Sequence, residues 1–142
     1  MHKKLACFAA TMAASLLIGP AVGADDPLVM SAQDLKWEKC GNDPPWDMCQ
    51  RALLRGDREK EPSEHMLRFP KGFKYPRHWH DNPEIIIVTE GATEIVFDDG
   101  KERVVRAGEY LYIPAKAPHK GSCIRGCTFY LGLVGVDSYY DK

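Results

Sequence analysis

Short stretches of alternating apolar and polar residues run through the chain from about residue 52 to its end. Residues 52–54, 65–69, 73–80, 84–89, 93–97, 102–106, 110–113 and 128–134 each read as a strand, rich in Ile, Val, Leu, Phe and Tyr. Gly, Pro, Asn or Asp bound most of them, and Asp98-Asp99-Gly100-Lys101 is a hairpin signal. No segment keeps apolar residues at helical spacing over three turns. Eight or so short strands with frequent turn residues predict an all-β domain that closes as a barrel or jelly roll.

The two ends of the N-terminal region follow a different pattern. Residues 1–24 carry Lys3 and Lys4, an apolar run from 5 to 18, a Gly19-Pro20 break and small residues at Val22 and Ala24. This is the build of a secretory signal peptide cleaved after Ala24. Its apolar run is shorter than the roughly 20 residues a membrane helix needs. Residues 25–51 mix Pro27, Gly41, Pro44 and Pro45 with Trp37 and Trp46, and read as an arm wrapped on a barrel domain spanning 52–142. Export predicts a soluble periplasmic protein with no membrane attachment after cleavage.

One strand carries the densest chemistry. Gly72 is followed by His78, His80, Glu84 and Gly91, a G-x5-H-x-H-x3-E-x6-G pattern. Strand side chains alternate with period two, so His78, His80 and Glu84 share a face, with Ile86 and Val88 on the same parity. Ile85 and Ile87 then face outward although apolar, which predicts a homodimer interface. Trp79 has the parity opposite to the two histidines and packs outside the cavity. Two imidazoles and a carboxylate on one face make most of a first-row transition-metal site.

A second segment, Gly108, Pro114 and His119 in a G-x5-P-x4-H pattern, completes the set. The two segments resemble motifs 1 and 2 of the cupin superfamily, and together with the short gap between them cover residues 72–119. The resemblance implies a double-stranded β-helix barrel and a metal held by His78, His80, Glu84 and His119. Lys116 stands where motif 2 usually has glycine, and Cys123 where it often has asparagine.

Composition bounds the rest. Removing residues 1–24 leaves 118 residues, 17 basic against 20 acidic, for a net charge of −3 and one domain. Neither a basic patch for nucleic acid nor a phosphate-binding glycine loop is present. Four cysteines remain, Cys40, Cys49, Cys123 and Cys127, and an even count in an exported small domain points to two disulfides. The local pairs Cys40–Cys49 and Cys123–Cys127 are favoured, the second across a hairpin turned by Gly126. The competing reading makes Cys123 and Cys127 zinc ligands with His119.

The expected cofactor is one divalent transition metal, Fe or Mn ahead of Zn, Cu or Ni, and the expected partner is a small-molecule substrate. The resemblance implies a metalloenzyme, with dioxygenase chemistry preferred over isomerase, lyase or decarboxylase chemistry. A non-catalytic periplasmic metal- or ligand-binding module is the alternative. His65, in the strand before motif 1, and Tyr112, in the motif 2 strand, are the candidate catalytic side chains. Arg68 is a candidate for binding a substrate carboxylate.

Overall fold

The computed structural model describes residues 27–141, so the signal-peptide reading of 1–24 lies outside it. Among the described residues nine strands pair, all antiparallel: β1 (Glu38–Lys39), β2 (Gln50–Gly56), β3 (Ser63–Phe69), β4 (Phe73–His78), β5 (Glu84–Phe97), β6 (Glu102–Arg106), β7 (Tyr110–Ile113), β8 (His119–Cys123) and β9 (Cys127–Leu133). The only helical element among them is a 3-10 turn, Trp46–Met48. The all-β expectation holds, and no helix among these residues is long and apolar enough to cross a membrane.

Strand β5 organises the sheet. Its first half pairs with β9 and β7, and its second half, from Ala92, pairs with β8 and β6. The alternating pattern suggested two strands here, 84–89 and 93–97; one 14-residue strand runs through both. The join is a register shift between Val88 and Glu90, followed by Gly91 at φ 71°. A Cβ at Gly91 would lie 2.3 Å from the Gly126 carbonyl oxygen, so only glycine lets the strand bend here and continue. The bend turns β5 from one sheet into the other, and the curled sheet encloses a common interior.

That interior is apolar at one end. Phe69 packs on Phe73, Tyr75 and Phe129 at centroid distances of 4.7, 5.7 and 5.3 Å, with Ile86, Val88, Ile95 and Ile113 buried around them. The buried Tyr75 hydroxyl hydrogen-bonds Thr93 Oγ1, which meets the need of a polar group in such a place. Glu84, Ile86 and Val88 are buried while Ile85 is half-buried and Ile87 is 39% exposed, as the strand parity required.

Both cysteine pairs sit at disulfide distance, Cα–Cα 5.3 Å for Cys40–Cys49 and 5.5 Å for Cys123–Cys127, which removes the zinc-ligand alternative. Gly126 does supply a positive φ, 86°. The hairpin expectation is corrected, however. Strand β8 pairs with β4 and β5 in one sheet and β9 with β3 and β5 in the other, so this bridge links two sheets. Disulfides of this kind are consistent with an extracellular protein.

Candidate metal centre

Three histidines and one carboxylate meet at the open end of the interior. His78 ends β4 and lies in register opposite His119, which begins β8. Glu84 opens β5 after the Asn82-Pro83 turn, opposite Ile113 on one side and Leu133 on the other. Donor atoms of His78, Glu84 and His119 all lie within 4.8 Å of one another. His80 lies outside that mutual set, yet its Nε2 is 3.3 Å from Glu84 Oε1, and His119 Nε2 is 3.4 Å from Glu84 Oε2.

Backbone carbonyls set the tautomer of each imidazole. Nδ1–H of His78 donates to the Pro76 carbonyl at 2.8 Å, that of His119 to the Ala117 carbonyl at 2.9 Å and that of His80 to the Ser138 carbonyl at 2.5 Å. With Nδ1 protonated, every Nε2 is left with a free lone pair, and those of His80 and His119 face Glu84. His80 Nε2 and Glu84 Oε2 are buried without a hydrogen-bond partner among the described residues. Two acceptors facing each other at such distances repel unless a proton or a cation lies between them. Donors bonded to one transition-metal ion at about 2.1 Å sit roughly 3 Å apart, so these residues fit such an ion.

Electrostatics describe the same need. Burial pushes the Glu84 carboxyl up to about 8, with the Asp137 carboxylate adding in the same direction. Burial holds His78 down to about 3, with His119 adding and the Pro76 carbonyl opposing. His80 and His119 are also lowered, first by burial. In the metal-free protein the site therefore holds neutral groups, and a dication would let Glu84 ionise.

A C-terminal strap that sequence spacing did not announce supports the centre. Trp79 and Tyr140 exchange backbone hydrogen bonds at 3.0 and 3.1 Å, and their rings stack. Besides the Ser138 carbonyl on His80, Ser138 Oγ accepts from the Asp81 amide, and the Tyr139 ring stacks on His78 at 4.9 Å. Asp137 lies 3.7 Å from His80 Nδ1 and pairs with Arg58 at 2.7 Å. Trp46, between the cysteines of the first disulfide, meets His78 edge-on at 6.3 Å.

Beside the four side chains opens a cavity of about 290 Å³. Leu67, Phe129, Ile86, Leu131 and Leu133 form much of its wall, with Trp46 and Tyr139 near the histidines. His65 lines it and is 2% exposed. Tyr112 does not: it is 49% exposed on the outer face, because Ile113 takes the inward position of β7. Arg68 is outside as well, bonded to Gln50 at 2.5 Å and stacked over Trp37. The arginines that do reach the cavity are Arg51 and Arg58, which the sequence reading passed over.

Comparison with known proteins agrees with this geometry. Residues 65–125 match the family model of the Cupin domain. No curated protein matches the chain in sequence. Among solved structures it is similar to an RmlC-like cupin from Shewanella frigidimarina, at 20% identity over 78% of this chain and 92% of that one, TM-score 0.63. It is also similar to the polyketide cyclase RemF from Streptomyces resistomycificus, at 20% identity, 81% and 84% coverage and TM-score 0.67. A third is the DMSP lyase DddQ from Ruegeria pomeroyi, at 18% identity, 79% and 68% coverage and TM-score 0.60. At such identities the likeness is one of fold. With its domain match, its two motifs and its curled antiparallel sheet, the chain carries a cupin domain over residues 65–125.

Proposed function

We propose that the protein is a metal-dependent enzyme acting on a small organic molecule outside the cytoplasm, with dioxygenase-type chemistry on an iron or manganese ion as its specific form. One observation carries the reading. Three imidazoles, each fixed by a backbone carbonyl with Nε2 free, and a buried carboxylate with an unpaired oxygen open directly onto a cavity of about 290 Å³. His78, His80, Glu84 and His119 would hold the ion. When bound it supplies Lewis acidity and, as iron or manganese, redox chemistry with dioxygen. The apolar wall excludes water and receives the body of the substrate, and the strap carbonyl of Ser138 keeps His80 oriented.

A purely storage or sensing role would need the donors but not the room, nor a buried polar side chain such as His65 facing that room. The solved relatives include a lyase and a cyclase by their names, so fold alone does not select the reaction. The test is anaerobic loading with Fe(II) or Mn(II), followed by oxygen-uptake measurements against small aromatic and aliphatic organic acids and phenols. Uptake that depends on both metal and substrate supports the reading. Turnover of substrate without oxygen uptake would replace the oxygenase form with a lyase or isomerase. Metal binding with no turnover would favour the binding-module alternative.

A further inference from the structure

One polar corner of the cavity is unused by the metal centre. A single row crosses the sheet from β2 to β7, with Gly56, Ser63, Leu133, Glu84 and Ile113 in register. From Ser63 to Ile113 the row is buried, and Ser63 stands two strands from Glu84, about 10 Å by the usual strand spacing. His65 lies one inward step along from Ser63, and Arg58 lies in the turn beyond the Gly56–Ser63 pair. His65 and Arg58 both line the cavity, and the Asp137 carboxylate that pairs with Arg58 lies 3.7 Å from His80 Nδ1 on its other side.

The hydrogen-bond inventory fixes what His65 presents. Ser63 Oγ, itself buried, lies 2.9 Å from His65 Nε2 and has no other hydrogen-bond partner among the described residues. With the Ser63 hydroxyl as the donor, its hydrogen is satisfied, Nε2 is the acceptor and Nδ1 carries the proton. That Nδ1–H is buried with no partner among the described residues. Leaving such a donor unmet is costly, and the cavity it faces is where a partner could meet it. Burial, then the charge of Arg58, lowers the His65 pKa, so the ring stays a neutral donor at pH 7.

Arg58 adds charge. Asp137 takes one of its donors at 2.7 Å, and a guanidinium has five. The cavity's charged lining is Arg51, Arg58, Asp137 and Glu84, and a bound dication would more than offset Glu84. Arg51 is paired with Glu38 at 3.6 Å as well, so what the corner offers an anion is the remaining Arg58 donors beside His65, with or without a metal. We infer that the cavity binds a small organic carboxylate, its carboxylate received by His65 Nδ1–H and Arg58 and its other end directed to the metal ligands. This rests on the enzyme reading above and names its substrate class. A cavity of about 290 Å³ is at the small end of ligand sites, which suits a small organic molecule.

The test is calorimetric titration of the wild-type protein, metal-loaded and metal-free, with butyrate, benzoate and phenylacetate, each paired with its neutral amide. The expected result is at least a ten-fold preference for one or more acids, kept in the metal-free protein. That preference should fall below about three-fold in Arg58→Gln and in His65→Leu, and recover in part in Arg58→Lys. Metal content of every variant is measured alongside. An acid preference that vanishes with the metal, or survives both substitutions, would place the carboxylate on the ion and overturn the inference. So would a panel in which no acid outbinds its amide. A wild-type protein that takes up no metal would instead sink the enzyme reading, whatever the acids do.

Discussion

Lys116 shows how a departure from a motif can be accommodated. It adopts φ 58°, the left-handed region that a glycine there would enter freely, and its amide donates to the His80 carbonyl at 2.7 Å. That conformation costs a residue with a side chain about 1–2 kcal/mol, partly returned because glycine loses more entropy on folding. Lys116→Gly is expected to stabilise the domain by about 0.5–1 kcal/mol, a rise of roughly 2–5 °C in Tm by calorimetry. A fall in Tm would show that the lysine side chain contributes more than its backbone costs.

The buried imidazoles set a pH dependence at the same scale. His65, His78, His80 and His119 all titrate below the ordinary 6.5 in the fold, so below that pH the unfolded chain takes up protons the native state refuses. Stability therefore falls on acidification through 6.5. Glu84 acts with the opposite sign: between 4.5 and about 8 the native state keeps a proton the unfolded chain has lost, so stability falls as pH rises through that window. Four imidazoles outweigh one carboxyl below 6.5, and Glu84 acts alone above it. Chelator-treated protein is expected to be most stable near pH 6.5 in thermal melts, with the optimum moving upward when metal is restored. A metal-free optimum at pH 8 or above would contradict this balance.

At the scale of elements, the C-terminal strap is the feature on which the site most depends. Its Ser138 carbonyl holds His80, and Tyr139 walls His78. A chain ending at Val136 is expected to keep its sheet by circular dichroism but lose about 10–100-fold in metal affinity, as groups supporting metal ligands usually do. Unchanged affinity would reduce the strap to packing. The spacing of the motif made the ligand set legible, but not as one strand: β4 ends at His78 and β5 begins at Glu84, so period-two alternation holds for Glu84, Ile86 and Val88 while the turn between the strands brings His78 and His80 to them. The strap was not legible: its contacts join residues almost 60 positions apart and follow no period. Tyr112 was misplaced because Tyr110, Leu111, Tyr112 and Ile113 are all apolar or aromatic, so alternation does not say which pair is inside. The β8–β9 turn resembled a hairpin because local spacing does not reveal that consecutive strands enter different sheets.

For the whole molecule, the outward residues form a surface of their own. Tyr110, Ile87, Tyr130 and Met66 lie in one register row across β7, β5, β9 and β3, with Tyr110 60% exposed. A homodimer through this face is the assembly we propose, and sedimentation equilibrium should give twice the chain mass, returning to the monomer in Ile87→Lys. A monomeric wild-type protein would refute it. The account as a whole turns on the metal centre. Its most direct test is elemental mass spectrometry of protein purified without added metal. About one transition-metal ion per chain is predicted for the wild type, with most of it lost in a folded His80→Ala variant. A metal-free wild type, or full metal content in that variant, would contradict the account.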